Sequence, residues 1–154
     1  MALSPFPAKT TVTGVGGWLT EPWRKWFLDL YTRVVSVPAV LAHVTATAQA
    51  AAITTTDATA VPATGVYRVS YRARISQAAS SSSSLTVTLG WTDTGVACSS
   101  AGAAMTANTT STVQSGSLLV SATVGSSITY ATAYASVGAT PMQYALDVVV
   151  ESVP

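Results

Sequence analysis

Charge is scarce in this sequence. Lys, Arg, Asp and Glu make up 8% of its 154 residues and nearly cancel, leaving a net charge of +1, where a soluble domain ordinarily carries about 25%. Without a basic excess nothing neutralises phosphates, which excludes a dedicated nucleic-acid binder. With no acidic tail and no charge run, a solvated disordered chain is not expected. Leu, Glu and Lys are too few for a coiled coil. The single cysteine, Cys98, excludes an intrachain disulfide and a cysteine zinc site and demands no oxidising compartment. No apolar run reaches 18 residues; the nearest approach, Val34 to Val44, is broken by Ser36, Pro38 and His43, so no membrane insertion is expected. The first residues, Met1 to Thr13, lack a basic stretch followed by an apolar one, so no secretory leader is expected.

Ala, Ser, Thr and Val fill more than half of the chain, a small and β-branched composition that points to many short strands. Residues 1–17 read as an extended arm, with Pro5 and Pro7 against helix and Gly14, Gly16 and Gly17 adding freedom. Residues 18–36 hold three of the four tryptophans. A helix is expected from Thr20 to Ser36. Thr20 caps it and Glu21 and Pro22 suit its first turn. Trp23, Trp26, Phe27, Leu30 and Val34 recur at i, i+3, i+4, i+7 and i+11 as one apolar stripe. Glu21–Lys25 and Asp29–Arg33 stand at i,i+4 spacing for ion pairs. Such a helix is marginal alone in water, so its stripe must be covered. Residues 37–44 read as a linker.

From residue 45 onward the pattern is of strands and turns. Tyr67, Val69, Tyr71, Ala73 and Ile75 alternate with Arg68, Ser70, Arg72, Arg74 and Ser76. Leu85, Val87, Leu89 and Trp91 share a face after the polar turn Ser80–Ser84. Asp93-Thr94-Gly95 and Gly125-Ser126-Ser127 are turn signals. Further strands are expected over Leu118–Val124, over Ile128 to Ala135, and from Met142 to Val150. The stretch from Cys98 to Val113 is open between weak strand and loop. With no helix between these strands, the fold class is mainly β: an antiparallel jelly-roll β-sandwich over residues 45–154, preceded by the arm and one short helix. Many inward positions are Ala or Thr, which bury little area, so the domain gains by burying more surface between subunits.

The segment Thr64-Gly65-Val66-Tyr67-Arg68-Val69-Ser70-Tyr71 and the closing strand Tyr144-Ala145-Leu146-Asp147-Val148-Val149-Val150 resemble the trimeric jelly rolls of the C1q and tumour-necrosis-factor type. The segment from Trp18 through Trp23, Trp26 and Phe27 to Tyr31 is similar to Trp-rich segments near the start of small structural proteins of tailed bacteriophages. No collagen-like stalk is present, which separates the chain from the animal C1q-type proteins. Together the two resemblances imply a homotrimeric virion component, a capsid decoration protein, head fibre or short tail fibre, made in the host bacterial cytoplasm. Trp18, Trp23, Trp26, Phe27 and Leu30 are its expected anchors on another virion protein, such as the major capsid protein or a tail protein. The alternative is a tail-associated module for host attachment that binds a receptor or surface glycan.

Site chemistry is thin. His43 has no Asp or Glu placed around it by spacing and reads as structural; three copies at a symmetry axis are the one route to a three-histidine metal site. Cys98 reads as an inert thiol. The acids Glu21, Asp29, Asp57, Asp93, Asp147 and Glu151 stand apart, whereas glycoside hydrolysis needs two carboxylates flanking one bond. Gly14-Val15-Gly16-Gly17 has Leu19 where a dinucleotide loop needs its third glycine, and reads as linker. Asn108-Thr109-Thr110 matches a glycosylation sequon, silent in a bacterial or viral source. No catalytic residue, metal or cofactor is expected. Arg68, Arg72 and Arg74 share one strand face and are expected either to be solvated or ion-paired or to meet an anionic partner. Trp91, Tyr130 and Tyr134 are candidates for stacking on a sugar ring, although Trp91 shares the face of Leu85, Val87 and Leu89.

Overall fold

The computed structural model describes Val12, residues 19–35 and residues 38–154, with residues 32–35 as backbone alone. Val12 aside, the expected arm and its glycines lie outside the described residues, as do Trp18 and the side chain of Val34. The chain divides into two units, Met1–Val37 and Pro38–Val153.

In the first unit the expected helix is present as α1, Glu21–Val35. The Thr20 carbonyl accepts the Arg24 N–H at 3.0 Å, and the Thr20 N–H donates to the Val12 carbonyl at 3.1 Å. The first-turn acid complements the helix dipole. It pairs differently from expectation: Glu21 holds Arg24 at 2.9 Å, one turn on at i+3, rather than Lys25. Arg33 lies among the residues described only as backbone, so its pairing with Asp29 falls outside the description.

The second unit contains nine strands: β1 Val40–Gln49, β2 Thr56–Ala60, β3 Gly65–Gln77, β4 Ser82–Asp93, β5 Val96–Ala101, β6 Met105–Thr106, β7 Val113–Ala122, β8 Ser127–Val137 and β9 Gln143–Val153. One sheet has the order β1-β9-β3-β7; the other runs β2-β8-β4-β5, with β6 also on β4. Every pairing is antiparallel. Strands pair first with last: β1 with β9, β2 with β8, β3 with β7, and β4 with β5 and β6. This is one long hairpin wrapped into two facing sheets, the jelly roll.

The expected inward faces are the core. Ile75, Leu85, Val87, Ile128, Met142, Tyr144, Leu146, Val148 and Val150 are all buried between the sheets, each large apolar side chain contributing about 1.5–3 kcal/mol. At the β4–β5 turn both Thr94 (φ 47°) and Gly95 (φ 83°) are left-handed, the geometry of a two-residue hairpin.

The strand boundaries correct the sequence reading, beginning with the expected turn Ser80–Ser84, which belongs to β4 from Ser82 onward, paired with β8. The jelly roll begins earlier than residue 45, because β1 takes up Val40–Val44 of the expected linker. Register shifts at Val40/Ala42 and Ala46/Gln49 break its alternation and hide it. The strand expected over Leu118–Val124 runs instead from Val113 to Ala122. The open stretch from Cys98 to Val113 resolves into the end of β5, the short β6 and a turn.

Candidate functional site

Two surfaces carry the residues singled out by the sequence. The first is on α1. Trp23, Trp26 and Phe27 form a ring cluster, with centroids 6.0 Å apart for Trp23–Trp26, 6.0 Å for Trp23–Phe27 and 5.2 Å for Trp26–Phe27. Two of these contacts are edge-on, the arrangement the ring quadrupoles favour. Trp23, Trp26 and Leu30 are half-buried, but Phe27 keeps 43% and Tyr31 67% of its surface exposed. Beside the stripe lies an apolar groove of about 540 Å³, lined by Leu19, Arg24, Phe27, Leu28, Leu30 and Tyr31. The expected stripe is therefore wider than its five positions. Leu28 and Tyr31 extend it sideways around the helix, a signal present in the i, i+4 spacing of Arg24 and Leu28 and the i, i+3 spacing of Leu28 and Tyr31.

The second surface is the outward face of the β1-β9-β3-β7 sheet. Arg68, Arg72 and Arg74 all project there from β3 and are exposed. Cross-strand register sets Arg68 opposite Glu151 and Arg72 opposite Asp147 on β9. Arg68 reaches Glu151 at 3.6 Å. Asp147 instead accepts the Thr45 hydroxyl at 3.0 Å and lies 3.8 Å from His43 Nε2. Among the described residues no carboxylate stands within 4.0 Å of Arg72 or Arg74. Val66 and Leu119 are exposed on the same face. The Arg68–Glu151 pair is invisible to spacing, because its members are far apart along the chain and meet only through the β3–β9 register.

The remaining candidates resolve as structural groups. Tyr130 is buried, and Trp91 and Tyr134 are half-buried and pack against the core. The Tyr134 hydroxyl donates to the Met142 carbonyl at 2.7 Å. Tyr130 offers no exposed ring for a sugar, while Trp91 and Tyr134 keep part of their surface open beside the core they pack on. Asn108 is buried, and its Nδ2 donates to Ser83 Oγ and to the Met105 carbonyl, each at 3.1 Å. The sequon nitrogen is thus engaged in the fold. The Cys98 thiol is half-buried and donates to the Val96 carbonyl at 3.6 Å. Among the described residues, no three His, Cys, Asp or Glu side chains gather as metal ligands, and no helix is long and apolar enough to cross a membrane.

No family model matches the chain, and comparison with curated proteins gives no match.

Proposed function

We propose that this protein is a structural component of a tailed-phage virion: a homotrimeric decoration protein or short head fibre, anchored by its N-terminal arm and Trp-rich helix. The observation that carries the reading is the aromatic surface of α1, where Phe27, Tyr31 and the groove beside them stay open to solvent. A short helix with such a surface is stabilised by a partner rather than by itself, and Trp and Tyr dominate the energetics of protein interfaces. Trimer formation is assigned to the outward face of the β1-β9-β3-β7 sheet. Val66 and Leu119 supply apolar area there, and Arg72 and Arg74 remain available to acids of a neighbouring copy.

Sedimentation at micromolar concentration tests assembly, with a trimer expected and a stable monomer overturning it. Removal of residues 1–37 is expected to leave a soluble, β-rich trimer that no longer joins the particle. Replacing Trp23 and Trp26 by Ala is expected to weaken incorporation by about 2 kcal/mol or more per side chain, with unchanged melting of the β-unit. Unfolding of the truncated chain would overturn the anchoring role. The same two arginines favour a second reading, a tail-associated module that holds an anionic host glycan. Salt-sensitive binding of the full chain to host polysaccharide distinguishes it.

A further inference from the structure

One side of the sandwich is open, and we propose that it accepts a strand from another polypeptide: an extended, uncharged segment that pairs with the free edge of β7 and sets one medium-sized apolar side chain into the cleft beside it. The first observation is the edge itself. β7 pairs with β3 continuously from Gly65–Ala122 to Arg74–Val113 without a bulge, and among the described residues no strand pairs with its other side. Alternate residues of an antiparallel strand turn N–H and C=O away from the partner, so roughly five residues of β7 present both groups outward. Exposed edges are ordinarily blunted by charge, proline, bulges or short length. β7 is ten residues long and contains no Lys, Arg, Asp, Glu or Pro. The opposite edge of the same sheet is guarded: β1 has two register shifts and a left-handed residue, Ala48, at φ 52°.

The second observation is the cleft. Between β7 and β5 the sheets part over about 160 Å³, with Tyr71 and Leu89 below and Gly102, Gly116 and Leu118 at the lip. A Cβ on Gly116 would stand 2.6 Å from the Tyr71 ring, and one on Gly102 would stand 2.3 Å from its hydroxyl. The Tyr71 ring reaches the lip only because both positions are glycine. On either side the sandwich closes: the Gln114 amide donates to the Ala103 carbonyl at 2.9 Å, and the Thr123 N–H donates to the Thr92 carbonyl at 3.1 Å. Gln114 itself turns inward, and its buried Oε1 lies 3.5 Å from where a Gly102 Cβ would stand.

These features define the chemistry of the occupant. Main-chain bonds to the edge supply affinity and the cleft supplies selectivity. A ring and a Leu side chain below the lip reject a charge, and the cleft volume suits a side chain of Val, Leu or Met size. A second copy of β7 fits less well, since a two-fold pairing centred on the cleft sets Gly116 against it, with nothing to insert.

The test is a titration of the isotope-labelled full chain, followed by NMR, with capped nine-residue peptides of alternating Thr and Ser whose central residue is Leu, Asp or Gly. The Leu peptide is expected to shift the amides of residues 113–122 and Gly102 and to bind at least about tenfold more tightly than the other two. N-methylation of its alternate amides is expected to abolish binding. Ser115→Lys, at an exposed position of the edge, is expected to weaken binding with the melting temperature unchanged; should that variant unfold, the peptide series still decides. Failure of the Leu peptide to bind at millimolar concentration, equal binding of all three peptides, shifts confined to other strands, or self-association that already protects the β7 amides would each overturn the proposal.

Discussion

Replacing Tyr144 by Phe removes one oxygen from the centre of the sandwich and tests how the core is tied to the segment before β2. The Tyr144 hydroxyl donates to the Ala51 carbonyl at 2.9 Å. Its one proton being spent there, the contact at 2.6 Å with Thr132 Oγ1 has the threonine as donor. Thr132 Oγ1 in turn accepts the Ile53 N–H at 2.8 Å. In the variant the buried Thr132 hydroxyl keeps the Ile53 N–H but loses its own acceptor, while Ala51 is exposed and its carbonyl recovers water. An orphaned buried hydroxyl costs about 1–3 kcal/mol, so the expected loss is about 2 kcal/mol. In a unit of this size that lowers the melting temperature by roughly 8 °C. The pH dependence gives a second readout. Burial raises the Tyr144 pKa above its ordinary value of 10.0; the Thr132 hydrogen bond pulls it back and the Tyr134 phenol adds to the rise. Below about pH 10 tyrosine keeps its proton in both folded and unfolded chains, and the stabilisation is whole. As pH rises beyond that value the unfolded chain releases the proton first, and the contribution drains away through the folded pKa. Phe has no proton to lose, so the gap between parent and variant narrows above pH 10. Circular-dichroism melts from pH 7 to pH 12 measure it. A shift below about 1 °C at pH 7, or a gap that stays constant through the alkaline range, refutes the reasoning.

Asn108→Asp places a carboxylate against the Met105 carbonyl and the Met142 sulfur, which the amide now meets at 3.1 and 3.4 Å as a donor. Urea titration is expected to show a loss of about 3 kcal/mol at neutral pH, partly relieved in acid as the carboxyl protonates. Gly138→Ala forces a side chain onto a backbone at φ 115° and sets its Cβ 2.2 Å from Ser80 Oγ. A loss of about 1–3 kcal/mol in thermal melts is expected, and an unchanged melt shows that the β8–β9 connection relaxes freely. If the proposed trimer forms, Arg72→Glu together with Arg74→Glu is expected to convert it to monomer in sedimentation; a retained trimer removes this face from the contact.

How much of this was legible depends on side-chain size. β3, β4, β8 and β9 alternate large apolar residues with small or polar ones, and their inward faces are where alternation puts them. β2 escaped because Thr56–Ala60 is a five-residue edge strand of Thr, Asp and Ala with a bulge, leaving no contrast to alternate. β5 is similar, since only Val96 is large in Val96–Ala101. The common face of the three arginines follows from two-residue periodicity alone. Their partners do not, because the β3–β9 register joins distant parts of the sequence. The open edge of β7 was beyond reach for the same reason: an edge is a property of strand order, and strand order is written in no single segment.

The β-unit also has a mechanical character. Its first and last strands are neighbours, and they start and finish side by side: the Ala39 N–H donates to Ser152 Oγ at 3.1 Å, and the Ser152 N–H donates back to the Ala39 carbonyl at 2.9 Å. Tension applied between the two ends of the unit therefore falls first on this single clasp and then on each rung of the β1–β9 ladder in turn. Rungs loaded in series open like a zip, at far lower force than rungs sheared together. The interior strands β3, β4 and β8 bear no load until β1 has peeled away. Pulled along the chain, the unit gives way from this clasp one rung at a time.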